Sequence, residues 1–258
     1  VKLYNENLKE WLYSRSIAFA IMEKTAGSNG MCIIAKDVAS VALVVKSRGA
    51  VPDIIMEGSS VIVPDFDICC YQTISTKVIN PHLMFDIMVK SIISIQREMD
   101  SNVFNAMSAA AIEKQNQIVV EVGNHISQSS ISEAFSNLAQ HSLVPNAAIM
   151  HVKNYIDISM FGKAYLSAPP LKEALETKNY GTIDGVPVIV NNRCDINKIF
   201  VTPQPMELGV IYIPEEPNVR YNPENINRKK GFVITLRCGI YIVNDWAVSM
   251  VKLNGLTS

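Results

Sequence analysis

The stretch NPHLMFDIMVKSIISIQREMDSNVFNAMSAAAI, from Asn80 to Ile112, decides the fold. Asn80 is a good N-cap and Pro81 a good first helical residue. Beyond them, apolar or small side chains recur in steps of three and four at Phe85, Val89, Ile92, Met99, Val103, Ala106 and Ala110, with Gln96 the one break. Ile87, Ile93, Ile95 and Phe104 make a second face apolar as well. No glycine or proline interrupts the run. A helix over residues 81–112 would be about 48 Å long, well beyond the usual globular helix. Two readings stay open at this point: a coiled-coil segment, or a long helix buried across a flat domain.

On the N-terminal side, Tyr4, Leu8, Trp11, Leu12, Phe19 and Met22 keep near-helical spacing, and Gly27-Ser28-Asn29-Gly30 predicts where that helix closes. Residues 31–46 fit either a strand or a short helix capped by Asp37. Arg48-Gly49-Ala50-Val51-Pro52-Asp53 and Glu57-Gly58-Ser59 are turn punctuation. Residues 60–67 alternate through Val61, Val63 and Phe66, and residues 72–79 are rich in Thr and Ile, so this region reads as a hairpin or long loop.

On the C-terminal side, strands and short helices alternate. Residues 117–122 predict a strand, and Ser130-Ile131-Ser132-Glu133 a capping box that opens a helix through Leu138. Residues 147–151 predict a strand, followed by a short helix over Tyr155, Ile158 and Phe161 that stops at Gly162. After Pro169-Pro170, residues 171–177 give further helical turns. Residues 180–190 form a hairpin about the two-residue turn Asp184-Gly185, a specific signal. Residues 199–202 and 208–214 are two more strands, and the tail is almost entirely β over residues 231–238, 240–244 and 247–253. The pattern predicts an α+β domain with a second α/β lobe inserted between Ile112 and Pro217.

Composition limits the function. The 258 residues carry 23 basic and 24 acidic side chains, a formal net charge of -1. A chain with no cationic excess lacks the electrostatic footprint of a dedicated DNA binder. Hydrophobic residues reach 48% and charged ones only 18%, where about a quarter charged is usual. With a mean hydropathy of +0.16, the chain is short of solvated surface: it has either a large core or an outside buried against neighbours. No apolar stretch approaches the roughly 18 residues of a membrane helix, and no secretory signal is visible. Five cysteines, Cys32, Cys69, Cys70, Cys194 and Cys238, show no C-x-x-C spacing and suit free thiols made in a reducing cytoplasm.

Catalytic signatures are missing: there is no P-loop, nucleophile elbow, H-E-x-x-H or G-x-G-x-x-G. His82, His125, His141 and His151 never fall at i, i+4 and read as surface or capped histidines. Asp65-x-Asp67 resembles the start of a calcium loop, but Ile68-Cys69-Cys70 follows where oxygen ligands should be, so solvated strand-edge carboxylates are expected. Cys194-Asp195 follows a strand, yet no partner base can be named, and a buried thiol is expected. Arg228-Lys229-Lys230 is the one basic run and reads as a solvated turn. The expectation is no catalytic residue, no cofactor and no metal.

The ordered segments resemble the Hong Kong 97-like tailed-bacteriophage capsid family from about Pro52 to the C-terminus. Glu57-Gly58-Ser59-x-x-x-Val63-Pro64-x-Phe66-Asp67-Ile68 is similar to the family's extended loop. The helix ending Asp100-Ser101-Asn102-Val103-Phe104-x-Ala106-Met107-x-Ala109-Ala110 is similar to its spine helix. Ser132-Glu133-Ala134-Phe135, His141-Ser142-Leu143-Val144-Pro145 and residues 149–155 resemble the axial domain, and residues 180–190 the hairpin that follows. Glu207-Leu208-Gly209-Val210 and Trp246-Ala247-Val248 resemble the return to the peripheral domain.

The resemblance implies an N-terminal arm and helix (1–48), an extended loop with peripheral strands (49–80), a spine helix of the peripheral domain (81–116), an axial domain (117–216) and returning peripheral strands (217–258). It implies a major capsid protein that self-assembles as hexamers and pentamers into an icosahedral shell enclosing phage DNA, without sequence-specific binding. Portal, decoration and scaffolding proteins are the implied partners, and the virion the implied location after synthesis in the bacterial cytoplasm. An encapsulin-type nanocompartment shell shares the fold and is the nearest rival. A soluble α/β enzyme with a pocket near Cys194 is the rival from another class. Val1 as first residue fits trimming of an initiator methionine, a leader lying upstream of this sequence, or the maturation cleavage that the resemblance suggests.

Overall fold

The computed structural model describes residue 13 and residues 16–25, 32–36, 59–75, 81–114, 118–122, 126–161, 166–215, 217–222 and 229–254. In chain order the elements are α1 (Ala18–Ile21), β1 (Glu23–Thr25), β2 (Ile33–Lys36), β3 (Ser59–Ile62), β4 (Asp65–Ser75), α2 (Pro81–Glu113), β5 (Ile118–Val122) and α3 (Gln128–Gln140). They continue with β6 (Ala147–Met150), α4 (Val152–Ser159), β7 (Leu166–Ser167), α5 (Leu171–Thr177), β8 (Thr182–Ile183), β9 (Val186–Val190) and β10 (Lys198–Thr202). The last five are α6 (Pro205–Leu208), β11 (Gly209–Tyr212), β12 (Asn218–Asn222), β13 (Lys229–Ile242) and β14 (Ser249–Asn254).

The long helix forms as its periodicity predicts, and it is a buried helix rather than a coiled-coil arm. Its seam is Ile92, Ile95, Met99, Val103, Met107 and Ala111, all buried. The apparent break at Gln96 disappears because Ile95 occupies the seam, one residue earlier; Val89 and Ala106 lie at its margin, half-buried. Both faces are apolar because two sheets claim them. Ile92, Ile95 and Met99 share a core with Ile68, Ile234 and Leu236 of the first sheet, while Phe104 stacks on Phe200 of the second at 5.8 Å between ring centroids.

The first sheet has five strands built on β13. Along one side Lys229–Gly239 of β13 pair antiparallel with β4; along the other β13 pairs with β12 and then β11, and β1 adds in parallel to β11. The second sheet runs β5-β14-β10-β6-β9-β8-β7. A two-stranded ribbon, β2 with β3, covers one end of the first sheet, where Cys32 and Val63 pack on Val210 and Tyr212.

Several local expectations change. Of the helix expected from Tyr4 to Met22, residues 1–12 lie outside the described residues; α1 ends at Ile21, and residues 23–25 form β1, whose ladder partners Val210–Tyr212 lie far along the chain. Helical spacing in Phe19 and Met22 cannot announce a sheet edge so distant. Helix α3 opens three residues before the expected box: Ser127 is the cap, and its Oγ accepts a hydrogen bond from the Ser130 N–H at 3.2 Å. Residues 59–62 and 65–75 do not pair with each other as a hairpin; Pro64 separates them and each finds another partner. Lys229 and Lys230 lie in β13 opposite Ser75 and Ile74 and not in a turn, while Arg228 lies outside the described residues. The tail's first two segments are one strand, β13, running unbroken through Gly239. The hairpin about Asp184-Gly185 forms as expected, with φ of 48° and 83°, the two positive values a type I′ turn requires.

Two strands cross the division drawn at residues 216 and 217. β11 belongs to the first sheet, with β13 and β4, while β14 sits inside the second, between β5 and β10. The chain passes between the lobes more often than a single insertion allows.

Candidate functional site

Asp100 is the one carboxylate among the described residues that is fully enclosed, at 2% exposure. It projects from α2 where three distant segments meet. Its Oδ1 accepts from the Ser16 hydroxyl at 2.6 Å and from the Ile17 N–H at 3.0 Å, and its Oδ2 accepts from the Asn191 side-chain amide at 3.2 Å. Ser16 Oγ accepts in turn from the Ala18 N–H at 3.2 Å. Asp100 therefore caps α1 from across the molecule, satisfying an N–H that the short helix leaves without an internal partner. Burial pushes its pKa upward, outweighing the hydrogen bonds that pull it down. A cleft of about 480 Å³ between α2 and the loop after β9 reaches Asp100 and is bordered by Arg97 and Arg193. Neither arginine forms an ion pair with the carboxylate. Such a site can hold the N-terminal segment and the second lobe on one helix; with no base, nucleophile or ligand set around it, it has no evident chemistry.

The residues singled out from sequence stay apart. His151 caps α4, its Nδ1 accepting from the Lys153 N–H at 3.1 Å, and burial, with Lys153 beside it, lowers its pKa. His141 stacks on Trp246 at 4.1 Å. The side chains of His82 and His125 lie outside the described residues. Asp65 accepts from Arg237 Nε at 2.6 Å, and Asp67 is exposed on the same strand. Among the described residues no group of three His, Cys, Asp or Glu side chains comes together as a metal site. Cys194 is buried; desolvation first, and Asp195 second, push its thiol up to about 12. Its S–H points at the Lys198 carbonyl at 3.5 Å. A thiol held neutral in this way is no nucleophile at neutral pH. Cys69 is exposed and Cys70 half-buried, as alternation along a strand requires.

Sequence reading gave Asp100 no role. The available signal was weak: a carboxylate directly beside the seam residue Met99, on a helix whose two faces are both apolar.

What the surface offers is apolar. Met160, Met206, Val144, Ile62, Tyr71 and Ile112 are each at least 58% exposed. Val144 and Met206 flank one end of the β6–β10 pair, where the Asn146 N–H donates to the Thr202 carbonyl.

No protein-family model matches the sequence, and no curated protein matches it either. Solved structures do. A structure from Microbacterium phage Oxtober96 matches with a TM-score of 0.70 at 13% identity, covering 93% of this chain and 91% of that one. The procapsid of satellite phage P4 with its size determination (Sid) protein matches with a TM-score of 0.64 at 12% identity, over 98% and 92% of the two chains. This is the Hong Kong 97-like capsid fold. The holo-SrpI encapsulin complex from Synechococcus elongatus PCC 7942 has it too, with a TM-score of 0.62 at 14% identity over 94% and 86%. Within the Hong Kong 97-like fold of this chain, α2 is the long central helix and Asp100 the point where the N-terminal segment is fastened to it. No described helix is long and apolar enough to cross a membrane.

Proposed function

We propose that this chain is the major capsid protein of a tailed bacteriophage, a structural subunit and not an enzyme. It assembles as hexamers and pentamers into an icosahedral shell around double-stranded DNA. The observation that carries the reading is the fold, shared over 93% of the chain with a phage structure and over 98% with a phage procapsid. The low share of charged residues, 18%, supports it, since a subunit gripped by neighbours needs little charged surface. α2 and the five-stranded sheet, β11 included, form the peripheral domain; the seven-stranded sheet, β14 included, forms the axial domain. Portal, scaffolding and decoration proteins are the expected partners. The chain is made in the bacterial cytoplasm and ends in the virion.

Negative-stain imaging and light scattering of the purified chain test this. Closed megadalton particles are expected; a small discrete oligomer at every concentration would sink the reading. The encapsulin likeness favours a second reading, a compartment holding protein cargo. Particles purified from their native source separate the two by content, genomic DNA for a capsid and an enzyme for a compartment.

A further inference from the structure

Among the described residues the five-stranded sheet has three edge strands, β4 on one side of β13 and β12 and the short β1 on the other. β4 spans eleven residues, Asp65–Ser75, and its outer backbone groups meet no other described strand. β12, Asn218–Asn222, also pairs only with β13 and lies on its opposite side. Neither strand carries a lysine or a proline; the charges along them are Asp65, which is paired to Arg237, and the exposed Asp67 and Arg220. Beside β4 an open groove of about 600 Å³ runs between the strand and α2, bordered by Asp67, Cys69, Ser94, Ile95, Glu98 and Asn102. Tyr71, on the same strand, is 58% exposed. An edge strand of eleven residues without lysine or proline invites addition of a strand whose charges complement its own.

The charges say which strand fits. The β4 edge presents Asp67 and the β12 edge presents Arg220, both exposed. Asp67 and Arg220 lie on the same face of the sheet, because their β13 partners, Arg237 and Val233, are an even number of residues apart. Two β4 edges brought together would set carboxylate against carboxylate, and two β12 edges would set arginine against arginine. β4 against β12 sets opposite charges together, and a contact between two different surfaces of one chain is what closes a ring.

We propose that the free edge of β4 in one copy of this chain pairs with the free edge of β12 in a second copy, so that the sheets continue from subunit to subunit. The pairing rests on the shell reading above. Hydrogen exchange tests it on shells assembled from this chain alone, compared with dilute free subunits. The amides of residues 65–75 and 218–222 that do not bond to β13 exchange freely in the subunit and slow together by about 100-fold or more in the shell. Equal exchange of either strand in the two states overturns the pairing, and so does a β4 already protected in dilute subunits, which would mean that the chain covers its own edge. Asp67→Arg and Arg220→Asp, both at exposed positions, each lower the yield of shells, and the double exchange restores it; a double variant no better than the singles overturns the pairing as well. If the chain forms no particle at all, the shell reading falls and this pairing with it. Particles whose two edges exchange as in the free subunit leave the shell reading standing and overturn the pairing alone.

Discussion

Asp100→Ala should loosen the junction between the N-terminal segment and the rest of the subunit. Three hydrogen bonds to an ionised group disappear, each worth roughly 1.5–3 kcal/mol in place. Against that loss stands relief from burying a carboxylate at 2% exposure with no cation paired to it, a cost of several kcal/mol. The upward direction of its pKa says that burial outweighs the hydrogen bonds for the charged form. What remains after this offset is the cost of the stranded donors. Asn191 faces the cleft, where water replaces the carboxylate, and the Ser16 hydroxyl is free to rotate. The Ile17 N–H has neither recourse, so a net loss of about 2 kcal/mol is expected, typical of a lost cap with one buried donor left unpaired. In a domain of this size that lowers Tm by about 4–8 °C.

Asp100→Asn separates charge from shape. Its amide would face the Asn191 amide, donor to donor, and Asn191 cannot turn round because its Oδ1 already accepts from the Arg193 N–H at 2.8 Å. The wild type should also show a pH slope that the variant lacks. A carboxyl whose folded pKa is raised holds more protons folded than unfolded between about 3.9 and the raised value. Stability therefore declines as pH rises through that window and is flat on either side. Scanning fluorimetry of unassembled subunits from pH 3.5 to 7 reads both effects. An alanine variant melting within about 1 °C of wild type, or parallel pH curves for wild type and Asp100→Asn, would refute the role given to this residue.

Ile92→Asp puts an unpaired carboxylate into the α2 seam at a position 4% exposed. It costs several kcal/mol, and soluble, correctly assembled shells from this variant would contradict a buried central helix. Gly185 has positive φ and open space around it, so Gly185→Val costs about 1–3 kcal/mol from backbone strain alone. Gly181→Ala costs more, because its methyl group would run into the backbone of Ser167 and Ala168 as well; chemical denaturation of the two variants should rank them in that order. Cys194 should resist iodoacetamide at pH 8 in the folded subunit, since its thiol is pushed up to about 12, while exposed Cys69 reacts. With a net charge of -1, free subunits should bind duplex DNA weakly and without sequence preference at physiological salt; a nanomolar, sequence-selective Kd by anisotropy would contradict that.

The parts of the fold legible in sequence are those whose cause is local. α2 announces itself because thirty or so residues keep one period and an Asn-Pro pair starts them; only the exact seam shifted, since two apolar faces leave the phase of the period undecided. The β8–β9 hairpin is legible because Asp184-Gly185 supplies the two positive φ values of a type I′ turn, one of the few geometries that reverse the chain in two residues. α3 was misplaced by one turn because Ser127, Ser129 and Ser130 are all good caps, and the choice fell to Ile126 and Ile131, which the core buries on either side. β1 was missed outright: three residues, Glu23–Thr25, become a strand through the ladder that β11 offers, a cause lying almost the whole chain away.

The same distinction governs function. Resemblance in the order of segments reached the capsid fold although no single motif was diagnostic, because order and spacing are global properties that survive at 13% identity. The Asp100 junction and the two free edges were invisible for the opposite reason. A carboxylate's burial is decided by what covers it, and here the cover comes from Ser16 and Ile17, more than eighty positions away. Nothing in DFDICCYQTIS marks it as an edge strand; a central strand of the same alternation would read alike. The missing lysine and proline acquire meaning only once topology leaves one side of β4 unpaired. The charges that stand there instead, Asp67 on β4 and Arg220 on β12, repel a like edge and accept an unlike one. The physical case for a partner at β4 thus rests on a combination that neither level contains by itself: the charges from the chain and an open side from the fold.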